Sequence, residues 1–349
     1  MTQTQVNMAS LYDRLNSLGF PKTFVREKAL PDWWDDEFEA TPGSVVEAAA
    51  YISRRLNLEI DSLLQPDRSP SFNQSCQAKF KTKQGTQIEQ LFLAQCMAAR
   101  IAEMVAYACI PEFKPLPTSV QKIRSEILNT PVRNGKASKK FIDLEGLIDW
   151  CWRPGIPIVH FTNFPHTTGI HKFQGMVAYF FDRPVIVISL KPRSTAKLLF
   201  ILAHELGHLV RGHLDGDSII DEEIEPGSTD DEEIDANSFA IELLLNKADM
   251  AYYTPRIFNG EKLVEYARSI SDKDGVDPGI VILNYAWMKA SQAAIEKKAI
   301  FWATAQKALN IIEENIEYSQ LINHYLQSQL DWEKLDNDSQ DYLLLTVKG

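Results

Sequence analysis

The stretch Ile201-Leu202-Ala203-His204-Glu205-Leu206-Gly207-His208-Leu209-Val210 decides how the rest of the chain is read. It contains the pattern His-Glu-x-x-His. On an α-helix, side chains four apart share a face and lie about 6 Å apart along the axis, so both imidazoles reach one ion. The glutamate between them stands beside that ion, where it can hold a water. The pattern alone turns up by chance in unrelated proteins, so its surroundings matter. Ser194, shortly after Pro192, is placed to cap a helix, and Thr195 to Leu214 is compatible with helix throughout. Leu198, Leu199, Phe200, Ile201, Leu202, Leu206, Leu209 and Val210 make that helix apolar nearly all round, the mark of a buried one. Two histidines and a glutamate are costly inside such a helix unless something neutralises and coordinates them.

A catalytic zinc needs a third protein ligand and one open position. A second helix follows downstream. Ser228 and Thr229 can cap it, and Thr229-x-x-Glu232 reads as a capping box. Beyond the cap, Glu233, Ala236, Asn237, Ala240 and Leu244 fall on one face, and the two alanines permit close approach to the first helix. Asp235 points to the other side. Glu233 is therefore the expected third ligand, with Glu232 as the alternative. Other acids in this run serve as a solvated first turn favoured by the helix dipole.

His204-Glu205-Leu206-Gly207-His208, then 24 residues, then Glu233-x-x-Ala236-Asn237-x-Phe239-Ala240-x-x-Leu243-Leu244 resembles the ImmA/IrrE family of bacterial metallopeptidases. The strand-like Arg183-Pro184-Val185-Ile186-Val187-Ile188-Ser189 upstream is also similar to that family. The likeness covers roughly residues 145 to 255. It implies a zinc-dependent endopeptidase of minimal zincin type, with His204, His208 and Glu233 holding Zn2+ and Glu205 as the catalytic residue. It also implies a protein substrate: a helix-turn-helix repressor or antitoxin, cleaved in a stress or DNA-damage response. The expected fold is α+β and mostly helical, a small β-sheet plus the two metal-bearing helices, flanked by helical regions. Asn246 departs from the family pattern, standing where many members end the second helix with proline.

In such a site the zinc lowers the pKa of a water towards neutrality and polarises the scissile carbonyl. Glu205 takes the water's proton and passes it to the leaving nitrogen. Six of the seven histidines lie between His160 and His213. His160, His166, His171 and Tyr179 are the candidates to stabilise an oxyanion, and the sequence does not choose among them. His213, five residues after His208 and turned about 140° from it, is not expected to be a ligand. In zincins the sheet edge beside the metal helix aligns an extended peptide through main-chain hydrogen bonds, and the same is expected here.

A chain of 349 residues with 45% apolar content can bury a sizeable core and is expected to form two or three domains. Four regions are expected: a helical N-terminal region 1–65, a basic helical region 66–140, the peptidase core 141–255 and a helical C-terminal region 256–349. The polar N-terminus does not resemble a signal peptide, and no apolar run is read as long enough to cross a bilayer. Cys76, Cys96, Cys109 and Cys151 lack CxxC spacing and suit reduced, buried thiols, so the cytoplasm is the expected location.

The net charge of −11 is concentrated: residues 215–235 hold eleven carboxylates and no Lys or Arg. This loop joins the two metal-bearing helices, where it either gates entry or is a plain solvated connection. Val45 to Leu64 is similar to the closing helices of a repressor-type helix-turn-helix domain. Residues 1–65 carry six basic residues against ten acidic, which argues for protein contacts over DNA reading. Residues 66–140 reverse the balance, twelve basic against five acidic, so a DNA or other polyanion effector is a candidate partner there. The sparse aromatics among these charges weigh towards an ordinary solvated face. The competing reading of the whole chain is a regulatory or interaction protein of little activity built on the same fold.

Overall fold

The 17-residue helix that carries His204 and His208 lies on a small sheet and packs against the helices Leu144–Trp152, Asp231–Leu245 and Pro278–Gln292. The computed structural model describes residues 6–41, 43–73, 78–81, 88–130, 140–166, 173–190, 194–214, 218–221, 230–247, 252–313 and 318–347. The N-terminal part comprises α1 (Met8–Leu18), α2 (Lys22–Phe24), α3 (Asp36–Glu39), α4 (Ser44–Leu56) and α5 (Ile60–Leu64), with a π-helical turn at Val25–Ala29. Then come β1 (Ala78–Lys81), α6 (Ile88–Ala108), α7 (Val120–Leu128) and α8 (Leu144–Trp152). The middle holds β2 (Ile158–His160), β3 (Gly175–Phe180), β4 (Arg183–Ile188), α9 (Thr195–Arg211), β5 (Ser218–Asp221) and α10 (Asp231–Leu245). The chain closes with α11 (Gly260–Asp274), α12 (Pro278–Gln292), α13 (Ile295–Ile312), α14 (Tyr318–Gln329) and α15 (Asn337–Val347). The class is α+β and mostly helical, as the patterning predicts.

The described strands form one mixed sheet in the order β1-β5-β3-β4-β2. β3 runs antiparallel to both β4 and β5, while β1 joins β5 and β2 joins β4 in parallel. The β3–β4 hairpin turns through Phe181 and Asp182, both at positive φ (51° and 59°), as a two-residue turn requires when its twist matches the strands. Residues 78–81, inside the region expected to be helical, supply β1. The strand beside the helix with His204 and His208 is an edge over only part of its length: β3 is paired on both sides over Gly175–Val177, while Ala178, Tyr179 and Phe180 pair with β4 alone. Short strands in charged surroundings form by pairing with distant residues, which local patterning does not encode.

Within α6, Leu91–Ala108 is long and apolar enough to cross a membrane, contrary to the sequence reading, yet 78% of it is buried inside the protein. Its apolar surface is consumed by packing on β3, β4 and α4. Cys96, Cys109 and Cys151 are buried thiols outside any disulfide, and burial raises the Cys109 thiol to about 11; Cys76 lies outside the described residues. Arg124, from the basic region, is buried and donates to the carbonyls of Leu243 and Gly275, at 2.6 and 3.1 Å, pinning the end of α10. That guanidinium is not part of an exposed basic face.

Candidate metal centre

α9 is fixed at both ends before any ligand is considered. The Ser194 hydroxyl accepts from the Lys197 N–H (3.1 Å), as the sequence predicts for an N-cap. The Glu313 carboxylate, from just beyond α13, accepts from the N–H groups of Thr195 and Ala196, both at 2.9 Å. Gly212 ends the helix in the left-handed region (φ 75°), three residues earlier than the composition suggested. α10 is capped by Asp230, whose side chain accepts from the N–H groups of Glu232 and Glu233. Asp230 takes the capping role expected of Ser228 or Thr229, which lie outside the described residues together with 222–227. Asn246 ends α10 in the left-handed region (φ 64°), doing without a proline what the family pattern does with one.

The two helices pack closely because Gly207 faces α10. A Cβ there would meet the Ala236 carbonyl oxygen and the Phe239 ring, each at 3.1 Å. That approach brings three donors together. His204 Nε2 and His208 Nε2 stand 3.0 Å apart. Glu233 reaches His204 Nε2 with Oε2 at 3.5 Å and His208 Nε2 with Oε1 at 3.2 Å. Both histidines and Glu205 are fully buried, and Glu233 is 6% exposed. Glu232, the alternative ligand, is not in this group.

Hydrogen bonding on the far side of each ring settles which nitrogen faces inward. His204 Nδ1 donates to Asn237 Oδ1 (3.1 Å), leaving a lone pair on Nε2. His208 Nδ1 meets His213 Nδ1 at 2.9 Å, and His213 Nε2 meets Asp235 Oδ2 at 3.3 Å. Burial and the neighbouring His208 ring lower the His213 pKa, favouring a neutral ring. With its Nε2–H donated to Asp235, His213 accepts from His208 through Nδ1, and the His208 Nε2 lone pair also points to the centre. Two lone pairs and a carboxylate thus converge in a buried space, and Glu233 Oε1 has no hydrogen-bond donor. Such a donor set suits a cation. Ligand atoms about 2.0–2.1 Å from a tetrahedral zinc stand about 3.3 Å from one another, the middle of the observed range. The residues present fit the metal.

Glu205 does not join the three donors; it lies against β3. A Cβ added to Gly175 would fall 1.8 Å from Glu205 Oε1, so the carboxylate occupies the space that any side chain at 175 would need. Gly175, Asn237, His213 and Asp235 are the residues sequence reasoning missed or misplaced. Asn237 lies on the face expected for Glu233, where no role was read for it, and His213 supports the His208 ring. Asp235 does point away from Glu233, and that is what lets it reach His213.

The oxyanion candidates are scattered. His160 hydrogen-bonds the Leu190 carbonyl (3.0 Å) and packs edge-on against Tyr318, and its strand, β2, is separated from β3 by β4. Tyr179 sits four residues along β3 from Gly175, packed against Phe113, with burial raising its pKa. His166 is exposed, and His171 lies outside the described residues. Most of the acidic loop, and Lys136 and Lys139 of the basic region, also lie outside them.

Residues 160–271 match the family model described as IrrE N-terminal-like domain, Peptidase_M78. The match begins at β2 and runs through most of α11, so it encloses the sheet strands β3, β4 and β5 and both ligand-bearing helices. No curated protein matches the chain.

Proposed function

We propose that this protein is a zinc-dependent endopeptidase acting on a protein partner, with His204, His208 and Glu233 as the metal ligands. The observation that carries the reading is the convergence of two inward lone pairs and one carboxylate within 3.0 to 3.5 Å, inside a segment that matches a peptidase family. When bound there, zinc supplies a Lewis acid that lowers the pKa of a water and polarises a carbonyl. The chain supplies the proton traffic and the orientation. Glu205, held against Gly175, accepts the proton of the attacking water at a carboxylate oxygen and hands it to the leaving nitrogen. Asn237 fixes the His204 ring, and His213 with Asp235 fixes the His208 ring.

A helix-turn-helix repressor or antitoxin encoded beside the protein is the substrate we favour, and a stress response the setting, on the resemblance of the motif alone. Full burial of His204, Glu205 and His208 favours a second reading, in which a partner must open the site or in which the fold mainly binds that partner. Co-expression with the neighbouring helix-turn-helix protein tests both. The wild type should cleave it, while Glu205→Gln should keep its metal and leave the partner intact. Cleavage by Glu205→Gln would remove the assignment. An intact partner held in a stable complex with the wild type would favour the binding protein.

A further inference from the structure

A cavity of about 370 Å³ lies one helical turn towards the N-terminus of α9 from the metal centre. Phe200 and Ile201 of α9, Ile241 and Leu245 of α10, Trp287 of α12 and Trp302 of α13 form its apolar wall. Its size falls at the lower end of the range for sites that enclose a small molecule, and its make-up is typical of them: aromatic walls with a few polar atoms. Trp287 is held edge-on against Phe200, with ring centroids 5.5 Å apart, so the wall is built and not merely collapsed.

The polar residues of the wall are Gln174, Ser194, Lys197, Asn284 and Gln306, and the Ser194 hydroxyl accepts from the Lys197 N–H (3.1 Å). Asn284 Oδ1 accepts from the Tyr252 N–H (2.8 Å), and Gln306 Nε2 donates to Asn310 Oδ1 (2.8 Å). Gln174 differs. It is 6% exposed, it lines the cavity, and its Oε1 accepts no hydrogen bond. A buried amide oxygen without a donor carries a desolvation cost that a bound N–H or O–H removes.

We propose that this cavity binds a small planar apolar molecule carrying one hydrogen-bond donor, with the rings against Trp287 and Trp302 and the donor on Gln174 Oε1. The site is distinct from the three metal donors and does not depend on the peptidase reading. It does adjoin that centre: Ile201 precedes Glu205 by one turn, and Gln174 precedes Gly175, on which the Glu205 carboxylate rests. An occupant that favours one placement of α9 therefore changes metal affinity, and metal changes the occupant's affinity by the same factor.

Indole is a suitable probe, titrated into the full chain by ligand-observed NMR, with 1-methylindole as the analogue lacking the donor. Indole should saturate with a Kd below about 1 mM. Losing the hydrogen bond, in 1-methylindole or in Gln174→Leu, should each weaken binding by about tenfold, and the two losses should not add. Ala305→Phe, which projects a ring into the cavity from α13, should abolish binding of both probes; should that variant fail to fold, Gln174→Leu with the two probes decides. Absence of saturable indole binding, or equal affinity for the two probes, would overturn the proposal.

Discussion

At the scale of single residues, the converging donors of His204, His208 and Glu233 are the least specialised part of the site and their supports the most. A histidine will turn either nitrogen inward unless something fixes it, and here Asn237 and His213 do so from outside the ligand set. His213→Ala should lower zinc affinity by about 10- to 100-fold, measurable by competition with a chromogenic chelator, while leaving the three ligands in place. Unchanged affinity would mean that His208 is oriented by packing alone. Gly175 makes the complementary case. Gly175→Ala puts a methyl where the fully buried Glu205 carboxylate lies, at a stability cost of about 1–3 kcal/mol, and should retain zinc while losing cleavage. Cleavage at the wild-type rate would show that Glu205 works from another position. Neither role could be read from the sequence, because a glycine between strands and a histidine off the ligand face carry no local signature. The meeting of His204 and His208 could, because spacing of four on an apolar helix is itself a geometric statement.

At the scale of elements, what was legible is what is periodic. α9, α10, α6 and α7 follow from apolar spacing and caps, and Ser194 caps α9 as predicted. β1 and β5 have four residues each and form only by pairing across the chain, so no local pattern announces them. α11 falls in the region expected to be helical, although it buries only Leu263, Val264, Ala267 and Ser271 along 15 residues. The start of α9 depends on elements far away in sequence, and this gives a pH prediction. Asp277 caps α12 next to Glu313, which caps α9, and burial pushes the Asp277 carboxyl up to about 6, with the Glu313 charge adding to the effect. Its folded pKa exceeds its unfolded one, so the folded state holds the extra proton between about pH 4 and 6, and this group's contribution to stability falls as pH rises through that window. Asp277→Asn should therefore melt higher than the wild type at pH 7, with the difference vanishing at pH 4 in thermal unfolding. A difference that is constant with pH, or of opposite sign, would show that the carboxylate is stabilised at the α12 cap.

At the scale of the whole molecule, the chain's ends brace its middle. Arg55 of α4 pairs with Asp338 of α15 at 2.5 Å and donates to the Leu30 carbonyl. Glu313 and α12 hold α9 from the C-terminal side, while α6 fills the other face of β3 and β4. The apolar length of α6 is core, and Arg124, one of the twelve basic residues of its region, is a clamp on α10. What composition could not supply was the packing that turns two helices into one centre. Everything proposed for the chemistry follows from that convergence, and zinc stoichiometry tests it most directly. After equilibration with zinc and removal of loosely held ion, elemental analysis should find about one zinc per chain in the wild type and in Glu205→Gln, and nearly none in His204→Ala or Glu233→Ala. A wild type that retains no zinc, or a Glu233→Ala chain that retains it as fully as the wild type, would contradict the account.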